Sequence, residues 1–229
     1  MPTGRRALWD SVHDAIAQSK TLTLRTTTYL PHERVHIDRI LGAFLDASGM
    51  ISIKDKLGYC VHELAGNAKK ANTKRLYFLE NKLDIADAAD YGQGMKGFKR
   101  ETTEHIGQYL EKLKEAGLCV KFQFRKLRNG VRISVHNNVT LTAAEEARIT
   151  EKIAIARQYT CFAEAFTSIE DGTEGAGLGL VMMMFMLKSL GFGQDAFTMR
   201  IANGETVATL KLEAPDAAAE PGAAGSASA

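Results

Sequence analysis

The segment HELAGNAKKAN, residues 62 to 72, places Glu63, Asn67 and Lys70 at i, i+4 and i+7, which on a helix is a single face. Cys60, Leu64, Ala68 and Ala71 fill the neighbouring face. Such a helix can lie against a sheet and still present a carboxylate, a carboxamide and an ammonium to one ligand. The amide oxygen of Asn67 is a hard ligand suited to Mg²⁺, Lys70 can meet phosphate, and Glu63 can orient or deprotonate a nucleophile. Taken alone, the stretch reads equally well as a solvated helix face.

A second constellation, EDGTEGAGLGLVMMMFMLKSLG (170 to 191), sets Gly175, Gly177 and Gly179 at alternate positions before a strongly apolar helix. Glycines at that spacing let backbone N–H groups approach an anion, and the helix N-terminus adds the positive end of its dipole. The pattern is that of a phosphate cradle, although glycine-rich loops also serve close packing. Met182, Met183, Met184, Phe185 and Met186 read as core filling, because a helix apolar all round is normally buried.

Several elements must position these segments. Residues 7 to 18 carry Leu8, Val12, Ala15 and Ile16 at helical spacing, and residues 21 to 30 alternate like a strand. Residues 32 to 49 place Val35, Ile37, Ile40, Leu41, Phe44 and Leu45 on a helical stripe that closes at Gly49. The spacing then predicts a helix from about Lys54 to Asn72, a polar and mostly helical stretch over 73 to 117, and a hairpin of CVKFQFRKL and VRISVHN turning at Asn129-Gly130. A helix-rich segment (142 to 166), the glycine-bearing loop (167 to 177), the Met-rich helix (178 to 190) and a second hairpin at Asn203-Gly204 follow. Residues 214 to 229 are Ala, Gly, Ser and Pro without periodicity and read as a disordered tail.

The bulk composition narrows the function classes. A chain of 229 residues, 45% hydrophobic, has apolar material for one core with elaborations. The formal charge of +2, scattered basic residues and 7% aromatics leave no broad nucleic-acid footprint, so any phosphate binding is local. Cys60, Cys119 and Cys161 are far apart and odd in number, which suits reduced thiols and a cytoplasmic setting. No signal peptide is recognisable, and the longest apolar run, Leu178 to Leu187, is too short to span a bilayer.

Together the two constellations carry a resemblance. HELAGNAKKAN resembles the N box (HELxxNAxK), and EGAGLGL the glycine box (GxGLGL), of the Bergerat-fold superfamily of histidine kinases, type II topoisomerases, heat-shock chaperones and anti-sigma-factor kinases. FAEAF (162 to 166) and the polar loop after it look like the phenylalanine-containing segment and ATP lid. GETVATLKL looks like the closing strand, with Thr206 at the matching threonine. The resemblance covers about residues 55 to 213, and residues 21 to 49 resemble the start of stand-alone anti-sigma-type domains.

The resemblance implies a two-layer α/β sandwich of the histidine-kinase ATPase type. Its sheet would be mixed with helices on one face, residues 1 to 20 would add an N-terminal helix, and 73 to 117 would be a helical insertion in a domain spanning 21 to 213. It implies ATP and Mg²⁺ as ligands. Asn67 would hold the metal, Glu63 would act in catalysis, Lys70 would contact phosphate, and Gly175, Gly177, Leu178 and Gly179 would wrap the triphosphate. Where the family has a DxGxG segment this chain has His136, Asn137, Asn138 and Val139. Asn137 thus replaces the aspartate that receives the adenine amino group, and Val139 replaces the first glycine.

No phosphoacceptor segment is evident around His32 or His62. The expected function is a signalling ATPase or kinase acting on a separate protein partner, with a homodimer left open. The alternative is a catalytically silent ligand-binding regulatory module, which Asn137 and Val139 favour. The insertion, with Ile106, Tyr109, Leu110 and Leu113 on one helix face, reads first as a cover for a sheet edge and second as a partner-docking helix pair.

Overall fold

The computed structural model describes residues 3–160, 162–167 and 178–213. The expected tail, 214–229, lies outside them. The chain opens with helix α1 (Thr3–Ala17), strand β1 (Leu22–Thr26) and helix α2 (Pro31–Asp46). The strand ends earlier than the alternating pattern suggests. The Thr26 and Thr28 hydroxyls both donate to the Glu33 carboxylate, and the Tyr29 N–H donates to Thr26 Oγ1 at 3.0 Å. These local bonds draw the backbone away from the ladder and into the first turn of α2, where Pro31 is the first helical residue and the Leu30 N–H donates to Glu33 Oε2 at 2.6 Å.

Helix α3 (Lys54–Glu80) runs eight residues past the expected end at Asn72. Asn72 caps nothing: its Nδ2 donates to the Cys119 carbonyl at 3.1 Å. Beyond it Leu76, Tyr77 and Phe78 are buried against α4 (Ala88–Glu104) and α5 (Ile106–Glu115), forming a second, smaller core with Phe98, Tyr109 and Leu113. The insertion therefore packs on an extension of α3, not over a sheet edge.

Strands β2 (Val120–Leu127) and β3 (Gly130–Asn137) form the first hairpin. Then come α6 (Ala143–Gln158), α7 (Phe162–Thr167), α8 (Leu178–Ser189), β4 (Phe197–Ala202) and β5 (Glu205–Glu213). The sheet order is β1-β2-β3-β5-β4. All four pairings are antiparallel, so the expected mixed sheet is corrected. Two tight hairpins force their strands antiparallel. The excursion through α6 to α8 returns the chain at the far edge as β4, so that β5 slots between β4 and β3 in the antiparallel sense.

The two Asn-Gly pairs behave differently. Asn203 (φ 52°) and Gly204 (φ 76°) are both left-handed between the paired residues Ala202 and Glu205, the geometry of a two-residue primed turn. At the other hairpin, Leu127 pairs with Gly130, so the turn is made by Arg128 and Asn129 and the glycine is already in the strand.

Alternate strand residues separate two faces. Val120, Phe122, Phe124, Val131, Ile133, Val135, Leu210 and Leu212 point to one side and join Val12, Leu41, Phe44, Leu57, Val61, Val181 and Met183 in the main core. The opposite face is polar: Glu205 accepts from Lys121 and His136, and Ser134 bonds Thr209. The protein is thus a two-layer α/β structure with helices on one face of an antiparallel sheet. In α8, Met183 and Met184 are buried as expected, whereas Met182 is 39% exposed. Among the described residues no helix is long and apolar enough to cross a membrane.

Candidate functional site

A cavity of about 240 Å³ opens between the sheet and helices α3, α6 and α8. Glu63, Asn67, Lys70 and Lys74 line it from successive turns of α3, because the apolar stripe of Leu57, Cys60, Val61, Leu64 and Ala68 on the neighbouring face turns into the core, with Leu64 and Ala68 at the cavity's edge. The Cys60 thiol is fully buried and pushed up to about 12 by that burial, which makes it a packing residue and not a nucleophile. The sheet supplies Asn137 and Thr206, which face each other across β3 and β5.

Glu63 and Asn67 are joined: the Asn67 amide nitrogen donates to Glu63 Oε1 at 3.0 Å. That bond commits the nitrogen and leaves the amide oxygen, the atom a hard cation prefers, as the unassigned ligand atom. Gly179, in the first turn of α8, packs directly on the Glu63 carboxylate, and a Cβ there would overlap it. The carboxylate therefore rests against the positive end of α8. His62, the neighbour of Glu63, serves the other side of α3, bonding Asp38 Oδ1 at 2.7 Å and the Tyr29 hydroxyl.

Thr206 is fixed by two bonds to one acceptor: its N–H and Oγ1 both donate to the Val139 carbonyl, at 3.1 and 2.8 Å. Asn137 is 4% exposed, and its Nδ2 has no hydrogen-bond partner. A buried donor left unpaired costs about 1–3 kcal/mol, and this one belongs to a side chain lining the cavity. The structure thus brings Glu63, Asn67, Lys70, Asn137, Gly179 and Thr206 to one cavity. Leu178 begins α8, half-buried, beside the lining residues Gly179 and Leu180. Gly175, Gly177 and the expected lid fall outside the described residues.

The opposite wall comes from α6 and was not anticipated. Glu145, Arg148, Ile149 and Lys152 line the cavity from one stripe of that helix. Glu145 closes a capping box with Thr142: Glu145 N–H donates to Thr142 Oγ1 at 3.2 Å, and Thr142 N–H to Glu145 Oε2 at 3.0 Å. Arg75 forks onto both oxygens of the same carboxylate, and Lys74 stands 3.6 Å from it. Burial alone would raise this carboxyl. The hydrogen bonds from Arg75 and the Thr142 backbone, with the charges of Arg75 and Lys74, outweigh it and hold it down to about 2.

Tyr91 of α4 completes this end. Its hydroxyl accepts from Lys74 Nζ at 3.0 Å and from Arg148 at 2.9 Å, and both cations also lie over its ring. The insertion therefore reaches the wall of the cavity. The i, i+3/i+4, i+7 run of Glu145, Arg148, Ile149 and Lys152 is a sequence signal of a kind, since it mixes charged and apolar residues on one stripe; only packing shows which way it faces. Among the described residues no group of three or more His, Cys, Asp or Glu is arranged to hold a metal.

Comparison with known proteins adds one relative. An uncharacterized protein of Treponema pallidum (strain Nichols) is 43% identical over 191 residues, 82% of this chain and 37% of the relative. The chain thus spans little more than a third of that relative's length. No family model and no solved structure matches the chain.

Proposed function

We propose that this chain is a nucleotide-binding domain of the histidine kinase-like ATPase type, which binds Mg-ATP and acts on a partner protein. The observation that carries the reading is the contact between Gly179 and the Glu63 carboxylate. Two segments more than a hundred residues apart, which this reading assigns to different parts of a metal-bound triphosphate, meet at one cavity, where a Cβ at residue 179 would overlap the Glu63 carboxylate. A single amide oxygen, on Asn67, whose nitrogen is turned to Glu63, would suit Mg²⁺, which retains water and takes few protein ligands. The metal, when bound with nucleotide, would neutralise charge on the phosphate oxygens. Glu63, held by Asn67 and the start of α8, is set to orient the attacking hydroxyl or water and take its proton. Lys70 supplies a second positive charge along the same helix face.

Differential scanning fluorimetry and phosphate release test this together. Asn67→Ala should abolish the Mg²⁺-dependent stabilisation by ATP, about 2.7 kcal/mol at a hundred times the dissociation constant in the parent. Glu63→Gln should leave that stabilisation in place and lower turnover about a hundredfold or more. Parent-like Mg-ATP stabilisation of Asn67→Ala would overturn the assignment.

Asn137 favours a second reading, a regulatory module that binds a ligand without turning it over. A neutral amide in place of a carboxylate weakens a contact to an adenine amino group and offers a donor as well. On that reading ligands stabilise the parent and Glu63→Gln alike, and no phosphate is released.

A further inference from the structure

We propose that the uncovered face of the sheet is a docking surface for an acidic segment of a partner protein, read by an array of cations that includes Arg25, Arg132 and Arg200. The proposal does not depend on the nucleotide reading, because the sheet residues that line the cavity, Val135, Asn137, Met199, Thr206 and Ala208, all point to the other side.

The strand register decides which side chains share this face. Alternation turns the core residues of each strand to the helices and their sequence neighbours outward. Arg125, Arg132 and Lys211 stand directly opposite one another across β2, β3 and β5. Two positions along the strands lies an uncharged row of Thr23, Gln123, Ser134, Thr209 and Thr198. Two positions further, Arg25, Lys121, His136, Val207 and Arg200 form a second basic row. The strand positions on this face thus carry six cations against two carboxylates, Glu205 and Glu213. That excess is larger than the +2 of the whole chain, so the rest of the molecule is net acidic. Both carboxylates are engaged already, Glu205 by Lys121 and His136 and Glu213 by Lys211.

Adjacent strands are about 4.8 Å apart, so the backbones under Arg125, Arg132 and Lys211 fall within about 10 Å, roughly one Debye length at moderate salt. Like charges directly opposite each other weaken a sheet, so the stability of the fold does not account for the row. Accessibility suits a partner: Arg25, Arg125, Arg200 and Lys211 are exposed and Arg132 is half-buried. Four of the six cations are arginines, whose planar fork meets a carboxylate through two parallel hydrogen bonds. An arginine fork takes phosphate as well, and the rest of the face separates the two. The uncharged row offers hydroxyls and an amide that can donate to and accept from peptide groups. No aromatic side chain on these strand positions could stack on a base. Val207 is buried, and the exposed Ile201 of β4 pairs with Thr206 and points to the cavity side, which leaves the face no apolar anchor for a bilayer. The two basic rows lie four residues apart along the strands, about 13 Å, and call for carboxylates in two clusters at that separation.

Fluorescence anisotropy at low salt tests this with a labelled oligoglutamate peptide, a labelled oligouridylate of the same length and, by co-sedimentation, phosphatidylserine vesicles. The peptide should bind the parent, and the triple variant Arg25→Gln/Arg132→Gln/Arg200→Gln should bind it about tenfold more weakly, the loss of three surface charge contacts. A charge-matched control on the exposed lysines of α3 and α4, Lys56→Gln/Lys96→Gln/Lys99→Gln, should change the affinity about twofold or less. The melting temperature of the arginine variant should hold or rise, because repulsion across the strands is relieved. Its stabilisation by Mg-ATP should equal the parent's, so the cavity reading stands or falls separately. Equal weakening by the two triple variants would reveal an effect of bulk charge and overturn the surface, as would no peptide binding at all. A lower melting temperature of the arginine variant would assign the arginines to the fold and overturn it too. Tighter binding of oligouridylate or vesicles than of the peptide would overturn the protein partner in favour of nucleic acid or a membrane.

Discussion

The two halves of α3 do different work. From Leu57 to Ala68 the helix is pinned to the sheet by the main core and presents Glu63 and Asn67; from Leu76 to Phe78 it carries the insertion on a separate core. Along the cavity, however, the polar face is continuous from Glu63 to Lys74. One rigid helix therefore couples a site built from local motif residues to a site built from tertiary neighbours. A segment that looks peripheral in the chain can thus reach the cavity wall through a single side chain, Tyr91.

The largest effect that would break this comparison comes from truncating each core in turn. Phe122→Ala in the main core and Phe98→Ala in the insertion core should each cost about 3–5 kcal/mol locally, since both rings are buried. Phe122→Ala should lower the global unfolding midpoint. Phe98→Ala should speed hydrogen exchange in α4 and α5 while exchange in β2, β3 and β5 stays slow. Equal loss of protection in the sheet would show that the two cores are one cooperative unit.

Next in size is the buried ion pair at the junction. Arg75→Met removes the fork from Glu145, leaving the buried carboxylate the Thr142 N–H and the charge of Lys74 at 3.6 Å, and should cost about 3 kcal/mol in urea denaturation. The pH dependence carries a second signature. The Glu145 carboxyl is depressed in the folded protein, from 4.5 to about 2, so its contribution is complete above the unfolded value and is lost as pH falls between them. The acid limb of stability in that window should flatten in Arg75→Met.

The smallest effect has the opposite sign. Asn137→Leu removes a buried unpaired donor at nearly constant volume and should stabilise the ligand-free protein by about 1 kcal/mol, roughly 2 to 4 °C in melting temperature. Nucleotide binding should weaken at the same time. Destabilisation on that change would mean that Asn137 serves the fold and not a ligand.

The candidate site was legible in part because half of it is local. Glu63, Asn67 and Lys70 share a face by helical period alone, and the helix-rich segment from 142, the Asn203-Gly204 turn and the alternating strands also follow from pattern. Where local rules compete, the chain by itself is ambiguous. Asn129-Gly130 reads as a turn centre, yet Leu127 pairs with Gly130, and a Cβ at Gly130 would run into the Leu212 carbonyl of β5, a neighbour that no local pattern reveals. The strand expected over 21 to 30 stops at Thr26 because Glu33, on the next element, accepts from its hydroxyl.

By itself, then, the sequence determined the periodic elements and the face shared by Glu63, Asn67 and Lys70. Only the tertiary structure decided that the sheet is antiparallel throughout, that α3 runs on to Glu80 to seat the insertion, and that Tyr91 joins the cavity-lining Lys74 and Arg148. The physical reason is range. Helical and strand periods act over a few residues and are written in neighbouring letters. The partner of a buried charge is chosen by whichever distant element the packing of two separate cores brings within a hydrogen bond's length.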